Sequence, residues 1–205
     1  MLIGLLKKLY RKLFPVRIRG KENIIDINSK YSGFTIDIYG DSNIVRINQT
    51  CVLKNTHIYI YGNGAEVIIS SRTRFLGPCV IYIYDGGSLY VGENVGIRGV
   101  SMEIGGGESI TIGDNSMFSY GITLRNHDSH KVIDYNSGRV INPAKPIKIG
   151  KHVWVCKNVT ILKGVEVGND SVLGYGALVT NNVPANTIAA GVPAVIVKES
   201  ITWDY

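Results

Sequence analysis

The chain has 205 residues, of which 45% are hydrophobic and 19% charged, with 24 glycines against 6 prolines and a formal net charge of +6. Such a chain suits a packed interior with many tight corners, and no apolar run reaches the ~20 residues needed to cross a bilayer as a helix. Three cysteines, Cys51, Cys79 and Cys156, form no metal-ligand spacing and leave one over from any pairing, which is the usage of a reduced, cytoplasmic setting.

The charge sits at one end. Lys7, Lys8, Arg11, Lys12, Arg17, Arg19 and Lys21 face a single anion, Glu22, within residues 1–23. The other 182 residues carry 15 cations and 15 anions, so the basic balance describes a segment and gives no support to nucleic-acid binding by the body. Leu2, Leu5, Leu6, Leu9 and Leu13 recur at helical spacing with cations between them, which predicts a short amphipathic helix ended by Pro15. Two roles fit it: an anchor on an anionic membrane surface, or a cap on the open end of the repeats that begin at residue 24. We therefore take 1–23 as a basic amphipathic segment and 24–205 as one folded domain.

From 24 to 124 the chain repeats strand, glycine corner, strand. The copies are Thr35-Ile36-Asp37-Ile38-Tyr39-Gly40, Ile58-Tyr59-Ile60-Tyr61-Gly62, Ile81-Tyr82-Ile83-Tyr84-Asp85-Gly86 and Met102-Glu103-Ile104-Gly105-Gly106. Their spacing approximates one three-sided coil plus a loose corner. The tyrosines alternate with isoleucine and so face outward, as a sugar-binding surface or a contact between copies.

The pattern is tightest over 149–184. Ile149, Val155, Ile161, Val167, Leu173 and Val179 fall at period six, and Val153, Val159, Val165, Ser171, Ala177 and Val183 follow each by four. A period of six fits neither an amphipathic helix nor an alternating strand. It fits a three-sided coil in which each side sends one side chain into a shared interior, the signature of a parallel β-helix. The hexads break at about 125–146, a polar insertion that predicts a protruding loop; long loops on rigid scaffolds commonly carry function. Beyond Pro184, residues 188–194 are expected to make a last turn, with Ile201-Thr202-Trp203 folding back over the coil.

Three stretches carry a resemblance: Lys148-Ile149-Gly150-Lys151-His152-Val153-Trp154-Val155, Ile161-Leu162-Lys163-Gly164-Val165 and Ala190-Gly191-Val192-Pro193-Ala194. Together they resemble the left-handed parallel β-helix (hexapeptide-repeat) acyltransferases, and among them the bacterial sugar and polysaccharide O-acetyltransferases. The match is close over 110–203 and looser over 24–109. The left hand is implied by the resemblance alone, since parallel crossovers are ordinarily right-handed.

The resemblance implies acetyl-CoA as co-substrate, a sugar or polysaccharide acceptor, a homotrimer with sites between subunits, no metal, and a cytoplasmic location that could extend to the inner membrane face. In the loop, Asp128-Ser129-His130-Lys131-Val132 matches the family's base motif and nominates His130; His127, three residues earlier, is the alternative. Imidazole titrates near neutrality and suits removal of a hydroxyl proton. Asp128 either orients His130 or stabilises the turn, and Asn142 supports the loop's return. Trp154 either packs against the loop and shapes the acceptor pocket near the base, or belongs to the core packing. The family's coenzyme arm is held by backbone amides, here those of Gly174, Tyr175, Gly176 and Ala177, with Lys163 and Lys198 reaching its phosphates. Val195 stands where relatives often carry a lysine. Other readings on the same coil are a sugar N-acyltransferase, a silent scaffold, and a zinc hydro-lyase. The last needs three converging imidazoles in a chain with four histidines.

Overall fold

The computed structural model describes residues 15–204. Twenty-four strands form three sheets of eight, seven and nine, wound so that successive strands belong to successive sheets. The result is an all-β, three-sided parallel solenoid with no helix among the described residues. The amphipathic helix expected over 2–14 lies outside them.

We call the sides the first, second and third faces, in the order the chain visits them. On the first face, Ile36, Ile58, Ile81, Met102, Leu124, Ile161 and Val179 stack in register from coil to coil. On the second, Ile47, Ile69, Val91, Ile112, Ile149 and Val167 do the same. The third-face column is Leu53, Phe75, Ile97, Phe118, Val155, Leu173 and Ala189. All of these side chains are buried, and every residue of the six-fold series from Ile149 to Val179 is among them. The period in the sequence is thus the length of one side of the coil, and three periods return the chain to the same face.

Two buried residues next to the overhang satisfy their polar groups internally. The Ser116 hydroxyl donates to Gly150 O at 3.1 Å and accepts from Val153 N at 3.0 Å. Asn126, fully buried, accepts from Gly105 N at 2.9 Å. From the third coil on, the edge between the second and third faces turns through a left-handed residue: Arg72, Asn94, Asn115, His152, Asp170 and Asn186. Short polar side chains tolerate that conformation better than most.

The solenoid starts ahead of the boundary expected at residue 24: Val16–Arg19 already pairs in parallel with Thr35–Tyr39. Its far end closes differently. Thr187–Gly191 extends the third-face sheet and pairs antiparallel with Ala194–Glu199. As expected, the tail folds back: Trp203 Nε1 donates to His152 O at 2.7 Å, and its ring stacks on the His152 imidazole at 4.2 Å.

Outside the first face the tyrosines stack between coils, Tyr59 on Tyr82 at 5.1 Å and Tyr39 on Tyr61 at 5.4 Å. Their facing was predicted from alternation; the stacking comes from strand spacing of about 4.8 Å.

Because interior columns interdigitate without slack, truncating one ring leaves a void that neighbours in a hydrogen-bonded coil cannot fill. Phe118→Ala is expected to cost about 3–5 kcal/mol, measured as a lowered denaturant midpoint followed by circular dichroism.

Candidate active site

The ladder is interrupted once. Ile122–Arg125 on the first face is followed by residues 126–146 before Ile147–Ile149 resumes on the second. The overhang therefore leaves from the edge between these two faces. It is a small hairpin, not an unstructured loop: Ile133 and Val140 form an antiparallel bridge, and Ile141 N donates to Val132 O at 2.9 Å. At its tip the Asp134 carboxylate accepts from both the amide and the hydroxyl of Ser137, at 2.7 and 2.6 Å.

Its base is tied to the coil by one polar cluster. Asn142 Nδ2 donates to Asp128 Oδ2 at 2.8 Å and to the His130 carbonyl at 2.9 Å, while its Oδ1 accepts from Val132 N at 2.6 Å. Lys163 Nζ, from the next coil, donates to Asp128 Oδ2 at 2.5 Å and to the Asn142 carbonyl at 3.0 Å. Arg125 Nη2 adds a bond to Ser129 Oγ at 2.6 Å. The Lys163 ammonium, and after it the Asn142 amide, hold the Asp128 carboxyl below its ordinary range.

The Asp128 carboxylate thus bonds Lys163 and Asn142, tying the turn to the coil. The Lys163 ammonium, expected to reach the coenzyme phosphates, is engaged on the loop in this chain. Register explains the contact. Arg125 lies opposite Leu162 in the ladder, so the residues after each meet at the same edge.

The two loop histidines occupy different surroundings. His127 packs edge-on against Tyr84 at 5.4 Å between ring centres, and its Nε2 is buried with no hydrogen-bond partner among the described residues. His130 is exposed, three residues further along the overhang. The other histidines are distant: His57 lies on the first face against Thr35, and His152 at the edge of the second and third faces against Asp170. No group of three or more potential metal ligands gathers among the described residues.

The remaining expected site residues are not beside His130 in this chain. Trp154 points outward from the third face, opposite Met117 and Val172 in the ladder. Gly174, Tyr175, Gly176 and Ala177 form the corner between the third and first faces. Three of their amides, expected to hold the coenzyme arm, are engaged within the coil: Gly174 N donates to Ala189 O, Gly176 N to Lys157 O and Ala177 N to Gly174 O. The Tyr175 amide donates to no group among the described residues, and it stands beside an exposed phenol that accepts from Asn158 Nδ2 at 3.1 Å. Lys198 is exposed on the terminal hairpin. The overhang and this corner stand on different edges of one prism.

All three thiols are pushed up by burial, Cys79 to about 11, so none is poised as a thiolate nucleophile at neutral pH.

Sequence reasoning missed the Asp128–Lys163 clamp, which only the coil register reveals, and the contact of His127 with Tyr84. It also missed the His152–Trp203 stack, although the fold-back itself was foreseen.

A three-sided parallel solenoid with a single histidine-bearing overhang is the architecture of a hexapeptide-repeat acyltransferase. Residues 146–181 match the family model for the bacterial transferase hexapeptide (six repeats). The polysialic acid O-acetyltransferase of Neisseria meningitidis is 32% identical over 188 residues, 90% of this chain and 87% of that protein. The galactoside O-acetyltransferase of Escherichia coli (strain K12) is 33% identical over 121 residues, and the chain spans 58% of its length. Among solved structures, the polysialic acid O-acetyltransferase OatWY superposes with a TM-score of 0.88 at 30% identity, covering 93% of this chain and 91% of that one. The chain belongs to the hexapeptide-repeat acyltransferase family, in its group of sugar and polysaccharide O-acetyltransferases.

A carboxyl held low in the folded state keeps its tie above its unfolded value and loses it as pH falls through the lowered one. Protease cleavage within 131–141 is therefore expected to accelerate as pH drops below about 4, with an acid-active protease. Lys163→Ala should show the faster cleavage already at pH 7.

Proposed function

We propose that this chain is an acetyl-CoA-dependent O-acetyltransferase that modifies a hydroxyl of a sugar or polysaccharide by direct transfer, with His130 as general base. The observation that carries the reading is an exposed imidazole on a clamped overhang in a fold whose relatives are named O-acetyltransferases. His127 is a poorer base, because its ring is packed against Tyr84 and half-buried.

In the step itself, His130 takes the proton of the acceptor hydroxyl as its oxygen attacks the thioester carbonyl. The carbon–sulfur bond breaks, the new ester bond forms, and the proton passes on to the departing thiolate. A backbone amide is the donor suited to the oxyanion, and the Tyr175 amide is a candidate because its three neighbours are engaged. The raised thiols favour direct transfer over a cysteine acyl-enzyme.

The separation of His130 from Trp154 and the 174–177 corner supports assembly as a homotrimer. In this reading the first faces, with their tyrosine stacks, turn toward the threefold axis. The overhang of one copy then reaches the third-to-first edge of the next. Val132, Ile133, Val140 and Ile141 are exposed apolar residues on the hairpin, and Tyr135 at its tip is 98% exposed, as suits a surface covered by a second copy. Lys198 remains a candidate for the coenzyme phosphates, and Trp154 for the acceptor side of the shared groove. The cations of residues 1–23 suit peripheral contact with an anionic cytoplasmic membrane surface. No helix among the described residues is long and apolar enough to cross one.

Thiol release from acetyl-CoA against a panel of bacterial glycans tests the activity. His130→Ala is expected to lower kcat by about 10²- to 10⁴-fold with sedimentation mass unchanged. Full turnover in that variant would overturn the assignment.

A further inference from the structure

The charges of the body balance in number but not in place. On the first face Arg17 is answered by Asp37, and Arg125 by Glu103 at 3.2 Å. The edge between the second and third faces pairs Arg72 with Glu93, Lys151 with Asp114 and His152 with Asp170. The second face alternates Asp26, Arg46, Glu66, Lys148 and Glu166 along its strands.

The third face is different. Its parallel strands from Lys30–Ser32 to Val172–Leu173 contain no carboxylate, and neither do the corners that join them to the first face. Lys30, Lys54, Arg74 and Arg98 are all exposed there, and none is ion-paired among the described residues. Register arranges them in two columns. Lys30 and Arg74 stand opposite Val52 in one. Lys54 and Arg98 come directly after the buried Leu53 and Ile97 in the other, nearer the third-to-first edge. Within each column the cations are two coils apart, about 10 Å at the ordinary strand spacing. The first column continues through Gly96 and Met117 to Trp154. The second continues past Ser119 and Cys156 to Gly174.

We infer that the third face is a docking track for an acidic glycan, whose anionic groups are held by Lys30, Lys54, Arg74 and Arg98 while the chain runs toward Trp154 and the 174–177 corner. The inference rests on the transferase reading for its direction and for the choice of a glycan, and on charge for the acidic groups. Four cations with no local counter-charge create a one-sign field that concentrates and orients a polyanion. A neutral polymer has no use for them. A glycan is favoured over nucleic acid because the transferase reading gives the chain a sugar acceptor; the exposed rings of Tyr31 and Trp154 on this face suit stacking against either. In the proposed trimer the first face turns inward, so this track stays open to solvent beside the groove.

The test uses the full chain without coenzyme. Binding of labelled polysialic acid, polygalacturonate and hyaluronate is measured beside neutral dextran, single-stranded DNA and phosphatidylserine vesicles. At least one acidic glycan is expected to bind more tightly than dextran, DNA or vesicles, and to weaken as salt rises. The combined variant Lys30→Ser, Lys54→Ser, Arg74→Ser, Arg98→Ser should weaken that binding at least tenfold, while kcat toward a small uncharged galactoside acceptor stays unchanged. His130→Ala should bind the polymer as the parent does, which separates this inference from the catalytic one. It is overturned if no acidic glycan exceeds dextran, if the fourfold variant binds undiminished with its fold intact by circular dichroism, or if DNA or vesicles bind more tightly than every glycan.

Discussion

Every feature of this molecule depends on the in-register parallel ladder between successive coils. Backbone amides of one coil donate to carbonyls of the next, so a residue's neighbours in space are its counterparts one turn away. Interior columns of isoleucine, valine and phenylalanine satisfy the hydrophobic term. The same register lines up whatever points outward, whether rings, charges or small residues, in rows along the solenoid. A one-coil change in loop length would leave the rows intact. A one-residue slip would turn the interior out.

That constraint explains how the scaffold accepts a long insertion. Residues 126–146 leave and return at one edge, and the strands on either side pair as though nothing intervened. The overhang gains little from burial, so its own bonds must order it. An exposed ion pair such as Asp128–Lys163 contributes only about 0–1 kcal/mol alone. Here the ammonium also donates to a backbone carbonyl, and Asn142 makes three further bonds to the same segment. The cluster acts as one unit, holding the backbone of His130 through its carbonyl and leaving its imidazole outside. The clamp thus fixes where His130 stands without occupying its ring.

The division of labour among the three faces has the same geometric origin. One face stacks aromatic rings, one mixes its charges, and one carries cations without carboxylates along its parallel strands. A trimer that turns the aromatic face inward leaves the other two flanking a groove between copies. In the trimer proposed above, His130 comes from one edge and the opposing wall from another. A monomer holds both halves of this arrangement on separate edges.

The period-six aliphatic series by itself determined the coil, its interior residues from Ile149 to Val183, the outward tyrosines and the position of the overhang, because burial in a regular solenoid is a property of sequence period. The motif around His130 and the Asn142 support were legible for the same local reason, and family resemblance supplied their roles. The start of the coil at Val16 was not legible, since short early strands lack the hexad rhythm. Tertiary structure alone decided that Lys163 reaches Asp128, that the amides of Gly174, Gly176 and Ala177 are engaged, and that His130 and Trp154 stand apart. It also decided that a body with 15 cations and 15 anions presents on the parallel strands of one face cations and no carboxylate. Each of these depends on which residues meet after a full turn of the coil, and that distance varies with every corner and with the overhang, so no fixed spacing in the chain encodes it.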